Sequence, residues 1–507
     1  KNMSTTAAAR KVVTSDYARY SGLAEKACKF LSASPDPFHA VHNCISQLKR
    51  DGFVGLSANE PLTGKLKAGG KYYYTVEHST LVAFCVGPAF EASKPFGFHL
   101  VGGHTDSPNL KVKPRSQKSH PASGCIQLGV ECYGGGLWHT WFDRDLSISG
   151  RVMIKSPESP LVKQSLVNLE DPIARISTLA IHLQSAEERK GFAVNKENHT
   201  APIIATDRIM SKENKDAGKA LQESVQEQVY GSEWREGQEP LLLEAIASKL
   251  QVPVDHIIDF ELNLYDTQAA QLGGIKKEFL YSARLDNLAT VFASLEALTQ
   301  YSKDLPAASS DISMMVAFDH EEVGSTSAQG AGSPVMLDAI QRISSALQGS
   351  TTSPDLYNAC IRKSFVLSID QAHAIHPNYA SKHEAKHSPK LNAGMVIKTN
   401  SNQRYATNGL TGFVVRELGR QADIPIQEFV VRNDCPCGST IGPTISSLTG
   451  IRVVDAGMPQ LSMHSVREVM GIADLQHGID LFLSFFNNFR TLDDNMSKEI
   501  EGTTAYD

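Results

Sequence analysis

Residues 312–324 read ISMMVAFDHEEVG. The first half is an almost unbroken apolar run, the pattern of a strand buried on both faces of a parallel sheet. The run stops abruptly at Asp319, His320, Glu321 and Glu322, with Gly324 close behind. An unpaired carboxylate is costly to bury, so charges at the end of a core strand need a task. Ligand sites of open α/β sheets lie beyond the carboxyl ends of the strands. Two adjacent glutamates there permit a division of labour, one holding a cation while its neighbour handles a proton. For this segment alone, a solvated acidic loop is the plain alternative.

The same event recurs along the chain. Residues 17–31 have helical spacing, and Asp36 and Pro37 are suited to cap and open a second helix. From residue 71 the pattern turns to strands, KYYYTVE and then LVAFCVG after a short polar turn. The apolar run 96–101 ends in Gly102, Gly103, His104, Thr105, Asp106 and Ser107. Residues 279–285 lead into Asp286 and Asn287, followed by a helical pattern over 288–298. Residues 365–369 deliver Asp370, with His373 and His376 just behind. Residues 451–454 deliver Asp455 and, after a loop containing Pro459, His464. An apolar helix, 479–489, closes the chain, and there is no internal repeat. The recurring apolar runs predict an α/β fold with a mostly parallel sheet.

Between the first two of these strand ends the character changes. Alternating polar and apolar residues, the glycines Gly134–Gly136 and the run DLSISGRVMI predict an antiparallel, barrel-like insert. The chain therefore divides into a first part at 1–106, a β-rich insert at 107–265 and a second part at 266–507. The basic residues Lys111, Lys113, Arg115 and Lys118 read as a solvated strand and turn, because no aromatic residues are interleaved. Residues 186–239, polar and rich in lysine and glutamate, read as a mobile excursion. A helix over 241–250 and a strand over 257–264 follow.

Composition narrows the function. With 507 residues, two domains are the natural division. The net charge of −6 is slight for this size, so no global field recruits nucleic acid or an anionic membrane. No apolar run approaches the roughly 18–20 residues that span a bilayer. Eight scattered cysteines suggest reduced thiols in a cytoplasmic setting, and Cys435 and Cys437 read as a reduced structural pair. The first sixteen residues, basic and free of acids before Asp16, have a faint transit-segment character and are expected to form a disordered tail.

Collected, the strand ends offer His104, Asp286, Glu322, Asp370 and His464. Two imidazoles and three carboxylates suit a pair of divalent ions such as zinc, manganese or cobalt, with no thiolate required. Five side chains give each ion three protein ligands only if one carboxylate bridges. Two metals about 3.5–4 Å apart clamp both the attacking and the departing oxygen of a hydrolysis. Asp106, two residues after His104, is placed to orient that imidazole.

At these residues the sequence closely resembles the M18 metallopeptidases, the aspartyl aminopeptidases. The matching motifs are GGHTDSP, LAIHLQ, ARLDN, DHEEVGS, SIDQAHAIHPNY, VIKTNSNQRYAT, RNDCPCGSTIGP and MPQLSMHS, spread over nearly the whole chain. The resemblance implies one metal on His104, Asp286 and Asp370 and another on Asp286, Glu322 and His464, with Asp286 bridging. It implies Glu321 as the general base and Asp106 as the residue that orients His104. Substrate contacts would be His182, His373, Lys398 and Tyr405, with His182 delivered from the insert into a partner subunit's site. It also implies a doubly wound, mostly parallel α/β catalytic domain, 1–106 and 266–507, interrupted at 107–265 by a dimerisation domain, and a homo-dodecamer acting on peptides with an acidic N-terminal residue. Lys398 would pair with the substrate's side-chain carboxylate. The competing reading is a catalytically silent oligomeric scaffold or cargo protein of the same fold. The retention of five ligands and a base argues against it, and Lys398 argues against a relative acting on neutral substrates.

Overall fold

The computed structural model describes residues 17–155, 158–209, 234–351 and 353–496. The expected amino-terminal tail and a large part of the 186–239 excursion lie outside the described residues. The main sheet has nine strands in the order Val54–Gly55, Lys71–Val76, Thr80–Val86, Ile312–Phe318, Phe98–His104, Phe365–Ile369, Arg452–Gly457, Met395–Thr399 and Ile426–Val430. Four strands at its centre, from Ile312–Phe318 to Arg452–Gly457, run parallel, and antiparallel strands join on either side.

The opening stretch behaves as its pattern demands. Ile312, Met314, Val316 and Phe318 enter the core on one face of the sheet, while Met315 and Ala317 enter the core on the other. The first core contains the helices Val335–Gln348, Pro354–Lys363 and Ile441–Thr449. The second contains Ala18–Ser32, Pro37–Arg50, Leu285–Tyr301, Gly409–Gln421 and Ile472–Asn495. A strand covered by helices on both faces has no polar side to show, which is why its sequence lacks alternation. Asp36 caps the helix Pro37–Arg50, accepting the His39 amide at 3.0 Å, and Pro37 occupies its first turn.

The second sheet is wholly antiparallel. Its order is Val162–Asn168, Leu146–Lys155, Ile257–Asp266, Asn109–His120, Cys125–Tyr133 and Ile203–Thr206. Its own core includes Leu110, Leu128, Trp138, Trp141, Ile148 and Leu262, and the helix Pro240–Leu250 contributes Leu242, Leu243 and Ile246. The barrel-like expectation fits: just beyond Val162–Asn168, Ala174 bridges to Leu146 and Arg175 exchanges backbone hydrogen bonds of 3.0 and 2.8 Å with Ile203 of the outermost strand at the other side, which brings the two sides of the sheet together. Part of the expected excursion is ordered, since Ile203–Thr206 pairs with Cys125–Tyr133.

A third sheet, unforeseen in the sequence, joins Gln271–Gly273, Phe279–Ser282, Glu468–Gly471, Pro459–Leu461 and Ala372–His373. The run leading to Asp286 therefore belongs to this small sheet and not to the main one. The loop bearing His464 turns between two of its strands.

Candidate metal centre

His104, Glu322 and Asp370 leave the ends of three adjacent central strands, as the pattern of apolar runs requires. Asp286 and His464 arrive from the small sheet, so the expectation that all five follow strands of one parallel sheet is corrected. Asp286 opens the helix Leu285–Tyr301 but keeps non-helical backbone angles (φ −82°, ψ 104°). The helix start can reach His104 because Gly103 has no side chain. An added Cβ there would lie 2.6 Å from Asn287 Oδ1 and 2.9 Å from Thr290 Cγ2.

All five residues converge. His104 is 1% exposed, and its Nε2 lies 3.4 Å from Asp286 Oδ1, 3.5 Å from Asp370 Oδ1 and 3.9 Å from Glu321 Oε2. His464 Nε2 lies 3.6 Å from Asp286 Oδ2 and 3.2 Å from Glu322 Oε2. Each oxygen of Asp286 thus faces a different imidazole. The ligand-type atoms of His104, Asp286 and Asp370 lie within 4.8 Å of one another, as do those of Asp286, Glu322 and His464. A third grouping of the same kind joins His104, Glu321 and Glu322.

The electrostatics call for cations. Burial, then the charges of Asp370, Asp106 and Asp286, push Glu321 up to about 8 against the opposing pull of His104. Burial and Asp286 likewise hold Glu322 well above the ordinary carboxylate range. Burial alone would lower the His464 imidazole, yet its pairing with Asp286 raises it to about 9. Asp286 Oδ1 and Glu322 Oε1 are buried and accept no hydrogen bond. Buried carboxylates are satisfied by hydrogen bonds, counter-charges or metals, and the protons held on such imidazoles are what a metal displaces. The donor set, oxygens and imidazole nitrogens around one shared carboxylate, fits divalent cations of the zinc type.

Surrounding contacts fix the cluster. His104 Nδ1 donates to the Asp106 carbonyl at 3.0 Å, with Asp106 Oδ1 at 3.4 Å. The hydrogen bond from His104 thus goes to the Asp106 main chain, while the Asp106 carboxylate is engaged elsewhere. It accepts the Glu321 and Glu322 amides at 3.1 Å each and the Tyr133 hydroxyl at 2.7 Å. Tyr133 belongs to the insert, as does Gly135, whose carbonyl accepts from His464 Nδ1 at 3.1 Å. That contact leaves Nε2 free to face the carboxylates. Close packing of the insert on the site requires Gly134 (φ +75°), where a Cβ would meet Glu322 Cβ at 3.2 Å. His320, the remaining imidazole of the opening stretch, turns away to the Ser327 hydroxyl at 2.7 Å.

The expected substrate contacts divide. Lys398, 2% exposed, lies 3.3 Å from Asp370 Oδ2 and donates to the Gln371 carbonyl at 3.2 Å. Its ammonium is thus already paired with a residue of the cluster, which sequence reasoning did not anticipate. With His104 it holds the Asp370 carboxyl well below the usual range, although burial alone would raise it. The Tyr405 ring lies 5.1 Å from the Lys398 ammonium. His373 is exposed and stands edge-on to Phe429 at 5.7 Å between ring centroids. His182 does not join: it sits exposed on the short turn Ile181–Leu183, and no hydrogen bond or ion pair links it to the cluster among the described residues. Tyr133 and Glu468, which touches two of the cluster residues through their backbones, were missed. Tyr133 meets Asp106 only across elements, and Glu468 reaches Asp286 from a distant segment, while its contact with His464, four residues earlier, is the one local spacing that could have pointed to it.

Comparison with known proteins agrees with this geometry. The family described as aminopeptidase I zinc metalloprotease (M18) matches residues 30–486. A probable aspartyl aminopeptidase of Ricinus communis is 44% identical over 488 residues, 93% of this chain and 96% of that protein. The aspartyl aminopeptidase of Dictyostelium discoideum is 42% identical over 484 residues, covering 94% and 98%. The structure titled "Cryo-EM structure of the Ape4 and Nbr1 complex" superposes with a TM-score of 0.88 at 40% identity, covering 96% of this chain and 89% of that one. With its full-length match to that family and to relatives named aminopeptidases, the chain belongs to the M18 zinc metalloproteases and is a metalloaminopeptidase.

Proposed function

We propose that this enzyme removes N-terminal aspartate or glutamate from peptides with the help of two divalent ions. His104, Asp286 and Asp370 would hold one, and Asp286, Glu322 and His464 the other. The observation that carries this reading is Asp286, whose two oxygens face the two imidazoles from 3.4 and 3.6 Å. When bound, such ions lower the pKa of a water and polarise the scissile carbonyl.

The chain's own residues supply the rest. Glu321, beside the cluster and only partly exposed, takes the proton of the attacking water and returns it to the departing amine. Burial and the neighbouring carboxylates raise its proton affinity, which suits the first transfer. Asp106 holds the Glu321 and Glu322 backbone, so the base and its neighbouring ligand keep a constant offset. Lys398 has two of its three donors occupied by Asp370 and Gln371, leaving one for a substrate carboxylate. Tyr405 closes the wall beneath that ammonium. The relatives' name, aspartyl aminopeptidase, supports the acidic preference.

Self-association belongs to the same reading. A solved structure described as the S. cerevesiae mApe1 dodecamer is similar to this chain, with a TM-score of 0.79 at 30% identity, 95% of this chain and 100% of that one covered. Leu179, Ile181 and Leu183 are 49%, 62% and 73% exposed around His182. An apolar ridge of this kind suits burial against a partner, and it would carry His182 into a neighbouring site. The insert would then serve as the dimerisation domain.

The test is metal add-back. Chelated enzyme should regain activity on an Asp-peptide as two equivalents of zinc, manganese or cobalt are restored, with little activity on Leu- or Lys-peptides. Full activity with no ion or with one, or indifference to the N-terminal residue, would refute the proposal.

A further inference from the structure

Glu468 opens the strand Glu468–Gly471 of the small sheet and is 2% exposed. No cationic side chain is paired with its carboxylate among the described residues. Its Oε2 accepts the Asp286 amide at 3.0 Å, and its Oε1 accepts the His464 amide at 2.8 Å. Gln460 Nε2 adds a third donor at 3.3 Å. One carboxylate therefore spans the main chain of two cluster residues that lie 464 − 286 = 178 positions apart in sequence.

Both stretches of backbone need such a hold. His464 has a φ of +65°, in the left-handed region that side chains other than glycine seldom adopt. Asp286 departs from helical angles although it sits in the first turn of a helix. Neither conformation is supplied by the regular structure around it. Strand pairing places Glu468 opposite Ser282, just ahead of Asp286, so the clamp is anchored in a sheet and not in a loop.

We infer that Glu468 is a positioning residue, setting the separation of Asp286 from His464 and with it the affinity of the cation those two would share with Glu322. The inference rests on the two-cation reading above. Both amides are donors, so both positions on the clamp must be acceptors. Glutamine offers one oxygen and one NH2 group and satisfies only one of them. Aspartate keeps the charge but is one methylene too short to reach both.

Zinc competition against a chromophoric chelator, with metal analysis, tests this without reference to turnover. Wild-type protein should bind two zinc ions per chain; a single ion would defeat the two-cation reading itself. Glu468→Gln should leave one ion tight and weaken the other about 10- to 100-fold, the usual cost of losing an outer-sphere partner. Gln460→Met, which removes a donor but keeps the clamp, should bind both ions as wild type does. Two tight ions in Glu468→Gln, given two in the wild type, would overturn the inference. Equal weakening of both ions would do the same. If Glu468→Gln does not fold, Glu468→Asp serves in its place, with the same selective loss expected and undiminished affinity counting against the inference.

Discussion

Replacing Lys398 by alanine separates the ion pair that the structure shows from the substrate contact proposed above. The side chain is bound to Asp370 Oδ2 at 3.3 Å and to the Gln371 carbonyl at 3.2 Å. Losing the Asp370 contact removes one partner of a buried ion pair, a change worth about 3–5 kcal/mol when nothing replaces the partner. A cation on Asp370 would offset much of that, and whatever remains falls equally on every substrate. The third N–H is different, because under the proposed specificity only a substrate with an acidic side chain would use it. A hydrogen bond to a charged group contributes about 1.5–3 kcal/mol, which corresponds to roughly 10- to 150-fold in kcat/KM. The expected outcome is a fall in kcat/KM on an Asp substrate of about 10²-fold or more. The Asp-to-Leu selectivity ratio should drop by the smaller factor just given. Fluorogenic Asp, Glu, Leu and Lys amides, measured at metal saturation, provide the comparison. An unchanged ratio would refute the assignment and leave Lys398 as a support of Asp370 alone.

Glu321→Gln should lower turnover by about 10²-fold or more, the scale of a lost general base, while metal analysis still finds the wild-type ion content; loss of the ions with the activity would make Glu321 a ligand. Burial pushes the His99 imidazole down to about 4, with Arg490 acting in the same direction and Asp311 opposing. Between pH 6.5 and about 4 the unfolded chain takes up a proton that the folded chain refuses. The His99 contribution is therefore full above about 6.5 and lost as the pH falls to about 4, on the order of 3 kcal/mol. Urea unfolding across that range should be less steeply pH-dependent in His99→Gln, and equal slopes would refute the assignment. Activity should fall on dilution as assemblies separate in light scattering, and His182→Ala should impair the assembled enzyme; a fully active monomer would remove His182 from the site.

Legibility in the sequence followed burial. Ile312–Phe318 and Phe98–His104 announce themselves because both faces of each strand are covered, and the charges at their ends stand out against that background. The small sheet does not, since its strands are two to four residues long and show no period. Asp286 and His464 were consequently read from their neighbours and from family motifs, without the sheet that carries them. The Lys398–Asp370 pair, Tyr133 on Asp106 and Glu468 under both ligands are products of topology. Apart from the contact of Glu468 with His464, four residues away, each depends on which distant segment is brought alongside, and no local spacing encodes that. Ile203–Thr206 was hidden for another reason: it is a half-buried edge strand in polar surroundings.

The scattering of the cluster along the chain also sets when it can exist during synthesis. From Asp370 to His464 there are 464 − 370 = 94 residues, on the order of 5–20 s of elongation at typical rates. Throughout that interval the nascent chain presents one imidazole and three carboxylates, while the second imidazole and the strand that anchors it are still unmade. The grouping of His104, Asp286 and Asp370 is by then complete in sequence, whereas that of Asp286, Glu322 and His464 still lacks a member. The second grouping thus waits for residue 464, and a ribosome stalled before it releases a product unable to complete that half of the cluster, however well its central strands have formed.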